Sequence, residues 1–291
     1  MTPSAHLDTF ARDNLPPRAQ WPDFLFALPE LNYPERMNCV VDLLDRWLAA
    51  GHGERPCLIS PAETLTYAQL AERVNRIANA LTRDLGVVPG QRVLLRGPNS
   101  PMMVASYLAV IKAGGVVVAT MPLLRAKEIA YPIAKAKIRL ALCDHRLADE
   151  MEKAKAQAGD LERIVYWGGG TPDALEARIA KPGYESFQAC DTASDDVCLI
   201  GFTSGTTGEP KGTMHFHRDV LATCDSYGRH VLRADATDRF IGSPPLAFTF
   251  GLGGLVLFPL RVGAATVLLE KVSPDDLLPA IAKLGATICF T

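Results

Sequence analysis

The sequence predicts an α/β fold in which parallel or mixed sheets are flanked by helices. Three observations carry this expectation. Short, apolar, β-branched runs such as RVLL (92–95) and VVVA (116–119) read as strands buried on both faces. Between such runs lie stretches of helical length with a start signal at one end and a glycine at the other. The two kinds alternate along the first two-thirds of the chain, which is the rhythm of βαβ units. With 291 residues, 48% of them hydrophobic, the chain is long enough for one large domain or two ordinary ones.

The elements follow in order. Residues 1–36 are rich in proline and aromatics, with NLPPRAQWPDF in their middle, and read as an extended lead-in lying on the body. In 38–51, Val41, Leu44, Trp47 and Leu48 keep helical spacing and Gly51 stops the helix. Thr66 and Gln69 form a capping-box pair, and Leu70, Val74, Ile77, Leu81 and Leu85 make one helical stripe that Gly86 ends. RVLLRG (92–97) is a strand. Ser100 and Pro101 open a helix that runs to Lys112, before Gly114 and Gly115. A strand follows at 116–119. RAKEIAYPIAKAK (125–137) is helical, but Pro132 is expected to kink it or to start a separate helix.

RLALCD (139–144) and RIVYWG (163–168) read as strands around a solvated helix at 148–159. Gly168–Gly170 lacks the G-x-G-x-x-G pattern and reads as a turn. The polar stretch DTASDD (191–196) is expected to join two sheet systems. The chain is accordingly divided into the lead-in, a first α/β subdomain at 37–190 and a second beginning at 191. Beyond it, DVCLIGF (196–202) and GTMHFH (212–217) read as two strands and 218–232 as a helix, despite Gly228. RFIGSPP (239–245), LVLFPL (255–260) and ATVLLE (265–270) are further core segments. Ser273 caps a helix to Gly285, and ATICFT (286–291) is a strand.

Composition excludes several classes. The net charge is −2, which points to neither a nucleic-acid nor an anionic-membrane partner. The amino terminus lacks the apolar stretch of a secretory signal, and no run approaches a membrane span. Seven scattered cysteines (39, 57, 143, 190, 198, 224, 289) with no C-x-x-C fit a reduced, cytoplasmic protein. His215 and His217 alternate along a strand, but no third cysteine or histidine stands at zinc-like spacing, so they read as structural residues. Ser204 sits in S-G-T rather than in a nucleophile elbow.

The chemistry is concentrated in TSGTTGEPKG (203–212). Gly205, Gly208 and Gly212 allow positive φ and close approach of backbone N–H groups to a ligand. Thr203, Ser204, Thr206 and Thr207 add hydroxyls, and Lys211 adds a compact positive charge. Such a loop suits a polyanion such as a nucleotide's phosphates. It is not a Walker A loop, because Pro210 precedes the lysine and Gly212 follows it. A second feature is PPLAFTFGLGGLVLFPL (244–260). In a strand Phe248 and Phe250 would share a face, and Gly251 and Gly253 would admit a flat ligand. Ordinary core packing accounts for the same residue types.

TSGTTGEPKG resembles the phosphate-binding signature of the acyl-adenylate-forming (AMP-binding) superfamily. LTYAQLAERVNRIANAL (65–81), GVVPGQRVLL (86–95) and AVIKAGGVVV (109–118) are similar to that family's amino-terminal segments in the same order. Residues 244–260 resemble its acyl-pocket motif. FGLGGLVLFPLRVGA (250–264) is similar to the corresponding segment of benzoate-type CoA ligases. NLPPRAQWPDFLF taken with PPLAFTFGLGG is similar to 2-aminobenzoate–CoA ligases, although no acidic residue lies in the pocket segment to bind an amine.

The resemblance implies the amino-terminal part of the large domain of an adenylate-forming enzyme. It implies ATP and Mg2+ as requirements and coenzyme A as co-substrate, with an aryl acid as the small-molecule partner. Thr203, Ser204, Gly205, Thr206, Thr207 and Gly208 would hold the β- and γ-phosphates, Thr207 would also help ligate magnesium, and Lys211 would neutralise departing charge or brace the loop. Phe248 would gate the acid, and Phe250 and Gly251 would line its pocket. The family pattern continues past the position of Thr291 with a magnesium-holding glutamate, a ribose-binding aspartate and a carboxy-terminal domain carrying a catalytic lysine. The chain is therefore expected to be a truncated, inactive piece. A nucleotide-binding module without turnover, a ligase for another acid or a carrier-protein acceptor, a plain NTPase, and a homodimeric assembly stay open.

Overall fold

The structure is a computed structural model that describes residues 3–203, 208–270 and 272–291. Its strands are β1 (Pro56–Ile59), β2 (Thr64–Thr66), β3 (Arg92–Arg96), β4 (Val116–Thr120), β5 (Leu140–Asp144), β6 (Arg163–Trp167), β7 (Val197–Thr203), β8 (Lys211–Phe216), β9 (Arg239–Gly242), β10 (Ala265–Val267) and β11 (Ile288–Phe290). The helices that organise them are α1 (Tyr67–Asn79), α2 (Pro101–Lys112), α3 (Ala126–Lys135), α4 (Ala148–Ala158), α5 (His217–Thr223), α6 (Thr249–Leu252), α7 (Phe258–Val262) and α8 (Pro274–Leu284).

The strands form two sheets, one in the order β6-β5-β3-β4-β7-β8 and the other β11-β9-β10-β1-β2. Pairing is parallel except for β1 with β2 and β7 with β8. The sheets do not follow the expected boundary at 190. β7 and β8 extend the first sheet by pairing on β4, while the early strands β1 and β2 belong to the second through β10. The 191–196 stretch therefore leads back into the first sheet.

Strand alternation builds the layers. In β3, Val93 and Leu95 face the layer between the sheets, where they join residues of α1, α2 and the 252–260 stretch. Leu94 faces the opposite layer, with Ile129 and Ile133 of α3 and Met151 of α4. On the outside of the second sheet, Leu277 of α8 covers Ile241 and Val267.

Local signals act where they were read. Thr66 and Gln69 exchange both capping-box bonds. Ser100 caps α2 by accepting from the Met103 amide at 3.3 Å, and α2 ends at Lys112. Pro132 breaks nothing, contrary to expectation: α3 runs through it from Ala126 to Lys135. The helix forfeits one backbone bond there, and the buried ring packs where Ile129 and Ile133 seal the sheet.

Residues 249–262 correct the strand reading of Phe248 and Phe250. α6 passes through a wider-turned stretch, Gly253–Leu257, into α7. A short, wholly apolar run fits a buried helix as well as a buried strand, and Leu252, Leu255, Val256 and Leu260 are all buried. The lead-in does lie on the body. Asp8 pairs with buried Arg92 at 2.6 Å, and Trp21 packs on Phe216 with ring centroids 5.4 Å apart.

Candidate functional site

The antiparallel pair β7–β8 presents the glycine- and threonine-rich loop. Its register sets Thr203 opposite Lys211, Phe202 opposite Gly212 and Gly201 opposite Thr213. Thr203 and Lys211 thus face each other at the mouth of the loop, and both are exposed. Ser204, Gly205, Thr206 and Thr207 lie outside the described residues. Gly208 holds φ +133°, with nothing within 4 Å of the position a Cβ would take; that backbone suits glycine and leaves its surroundings open. Lys211 makes no ion pair among the described residues. The exposed Thr203 hydroxyl, an open glycine at 208 and the exposed Lys211 cation at one mouth suit the phosphates of a nucleotide.

Helix α3 braces both limbs of this hairpin. The Tyr131 hydroxyl donates to the Pro210 carbonyl at 3.0 Å, immediately before Lys211. The Tyr131 ring also meets Phe202 edge-on at 6.2 Å. β8 is an edge strand, so its outer side has no strand neighbour, and Tyr131 supplies a substitute anchor. Tyr131→Phe keeps the ring contact and removes one hydrogen bond, worth about 1 kcal/mol. We expect amide hydrogen exchange across 208–212 to quicken about fivefold, with global stability nearly unchanged; unaltered exchange would remove Tyr131 from the anchor.

The second sequence feature meets the first. A Cβ built on Gly201 would stand 3.5 Å from Thr249 Cγ2 and 3.4 Å from Thr213 Oγ1. The start of α6 therefore packs on β7, two residues before Thr203. Phe248 is the residue before α6 and Phe250 is inside it; their exposures are 45% and 54%. Phe250 meets Phe290 of β11 with centroids 5.5 Å apart. Gly251 is buried, and a Cβ there would stand 2.2 Å from the Pro245 carbonyl oxygen. It allows close backbone packing that holds the Phe248 turn.

Asn99, ahead of α2, fixes the same turn from the other side. It donates to the Pro244 carbonyl at 3.0 Å and accepts from the Leu246 amide at 2.9 Å. Sequence reading missed Asn99 and Tyr131. Asn99 had a visible signal in the PNS that precedes the α2 cap, whereas Tyr131 lies inside a helix and gave none. The sequence features also miss the cleft of about 720 Å3 lined by Ser60, Asn99, Asp144, Arg146, Trp167 and Glu270; none of the expected site residues lines it.

The electrostatics leave the positive charge at the mouth to Lys211. Burial lowers the pKa of His215, with Asp219 opposing the shift, so its ring stays neutral beneath the hairpin. Thr213 Oγ1 contacts it at 3.2 Å and donates to the Gly201 carbonyl at 2.9 Å. Burial raises the Asp219 carboxyl, although it accepts from the Phe216 amide. The two histidines do not share a strand face. His217 starts α5 and is fully buried.

Comparison with known proteins bears on this arrangement. A family model described as AMP-binding enzyme matches residues 45–291. The chain is 36% identical over 247 residues to a benzoate–CoA ligase of Thauera aromatica, covering 84% of this chain and 47% of the relative. It is 32% identical over 272 residues to a 3-hydroxybenzoate–CoA/4-hydroxybenzoate–CoA ligase of the same organism, covering 90% and 50%. Among solved structures, the anthranilate CoA ligase AuaEII in complex with anthranoyl-AMP superposes with a TM-score of 0.85 at 29% identity, over 91% of this chain and 51% of that one. A benzoate CoA ligase from Burkholderia xenovorans LB400 gives 0.74 at 26% identity, over 84% and 47%. The chain spans about half the length of these relatives.

Proposed function

Because the chain belongs to the AMP-binding enzyme family, whose model covers residues 45–291, we propose that the protein activates an aryl carboxylate with ATP, giving an acyl-adenylate and then the aryl-CoA thioester. The observation that carries this reading is the packing of Thr249 on Gly201, which brings the 248–250 stretch onto β7 two residues before a phosphate-suited loop. The names of the relatives point to benzoates and 2-aminobenzoate (anthranilate) as acids and to coenzyme A as acceptor.

In this reading a carboxylate oxygen attacks the α-phosphorus in line and pyrophosphate leaves. The coenzyme A sulfur then attacks the acyl carbon, its proton passes to a base, and AMP leaves. The chain's contribution is positioning and electrostatics. Thr203, Gly208 and the intervening residues hold the β- and γ-phosphates, and Lys211 meets the charge gathering on pyrophosphate. Thr207 would help hold a magnesium ion, which would supply further charge neutralisation at the phosphates. Phe248 stands where an aryl acid would pass, and Phe250 offers a flat wall. All seven cysteines are unpaired, which favours a reducing compartment such as the cytoplasm. No helix among the described residues is long and apolar enough to cross a membrane.

The test is pyrophosphate release with ATP and magnesium, with and without 2-aminobenzoate or benzoate. Acid-dependent pyrophosphate supports the reading. Phosphate in its place would indicate an NTPase, and nucleotide binding without acid-dependent release would indicate a binding module. In the same assay, Phe248→Ala should shift the ratio of kcat/KM between the two acids by about tenfold. An unchanged ratio across a panel of aryl acids would remove Phe248 as the gate.

A further inference from the structure

Three donors meet in the interior although the sequence gives no hint of their proximity. Cys39, Cys198 and His217 are fully buried, and their sulfur and ring-nitrogen atoms all lie within 4.8 Å of one another. They come from three separate segments. Cys39 is the first residue of the helical stretch that runs into Val41–Asp45, Cys198 is the second residue of β7, and His217 opens α5 directly after β8. The β7–β8 register shifts between Val197 and Leu199, so Cys198 falls at the irregularity. A bulge of this kind re-aims a side chain and recurs beside functional sites.

One edge of the cluster has about the length found in a coordination shell. His217 Nδ1 lies 3.3 Å from Cys39 Sγ. Metal–sulfur bonds of about 2.3 Å and metal–nitrogen bonds of about 2.0 Å, at tetrahedral or trigonal angles, put such ligands roughly 3.5–3.7 Å apart. The observed edge is within a few tenths of an ångström of that. The Cys39 amide donates to Nδ1 at 3.2 Å; an ion bound at this nitrogen would take over the lone pair that now accepts that bond. Nε2 is buried with no partner among the described residues. Hydrogen bonding therefore does not fully account for this imidazole's place.

We propose that Cys39, Cys198 and His217 form a binding site for one soft, thiophilic metal ion, cuprous copper in the first instance. Zinc in structural sites takes four ligands, and no fourth cysteine, histidine or carboxylate joins the cluster among the described residues. Two thiolates and an imidazole suit a soft ion at low coordination number. Each thiol loses its proton to buffer as its sulfur–metal bond forms, so one ion releases two protons and no electron is transferred. The ion would tie β7, α5 and the segment before Val41 together at the root of the hairpin, away from the loop.

The test uses the reduced chain, under anaerobic conditions, with Cys190→Ser and Cys289→Ser removing the two thiols that are not buried. Cuprous ion is titrated against a chromophoric chelator, with zinc ion in a parallel arm. The expected result is one cuprous ion per chain, bound well ahead of zinc, and an X-ray absorption spectrum fitted by two sulfurs and one nitrogen. Cys198→Ser should weaken binding by more than about tenfold, since even outer-shell losses reach that size. If Cys198→Ser fails to fold, the spectrum of the chain with all three donors intact decides. No binding in competition with the chelator, a shell without nitrogen, or full affinity in folded Cys198→Ser would each overturn the site.

Discussion

In an enzyme of the relatives' full length, Lys211→Ala is expected to slow acid-dependent pyrophosphate formation by about 10²–10³-fold, the usual loss when one preorganised charge-stabilising group is removed. Binding of the aryl acid should change little. The side chain lies at the loop mouth opposite Thr203, exposed and without an ion pair among the described residues. Its charge supports no internal partner, so stability should stay within about 0.5 kcal/mol. Single-turnover adenylation rates and acid affinity, measured side by side, check this. Unchanged adenylation would take Lys211 out of the mechanism. Weakened acid binding at an unchanged rate would relocate its role to the acid.

Arg96→Ala should destabilise the protein by about 3 kcal/mol, in the range for stripping partners from a buried charged network. Arg96 is 1% exposed. Its guanidinium donates to the carbonyls of Met121, Pro122 and Leu124 at 2.7, 2.9 and 2.8 Å. Burial lowers its pKa, yet the three acceptors retain the charge and fold the β4–α3 connection around it. That connection aims α3, and α3 carries Tyr131 to the hairpin. Arg96→Lys should recover little, because a single ammonium does not reproduce the planar fork. The readout is the urea midpoint at constant slope. A midpoint equal to that of the unmodified chain would show that the connection holds itself.

Much of the local structure was legible because its signals act within a turn or two of chain. Ser100, Pro101 and Gly114 bracket α2, and the Thr66–Gln69 pair starts α1. The alternation of β3, β4, β5 and β6 with helices announced their parallel pairing. Where the reading failed, the deciding contact was distant. Pro132 was expected to kink the helix or to start a separate one; no separate helix starts there, because packing against the sheet outweighs one lost backbone bond. Residues 251–260 are buried on all sides of a helix, and an apolar run carries no period that separates strand from helix.

The residues themselves therefore specify the strands from β3 to β8, where most helices begin and end, and which loop is chemically equipped for phosphate. Those outcomes depend on backbone propensity, capping and charge within a few neighbours. Tertiary structure decided that β1 and β2 join β9–β11, that Thr249 rests on Gly201, that Tyr131 and Arg96 support the hairpin, and that Cys39, Cys198 and His217 share one pocket. These contacts join residues from 19 positions apart (Cys198 and His217) to well over 100, and they are chosen by burial and shape across layers. No pattern along the chain encodes that choice, because the free energy selecting it exists only once the layers pack.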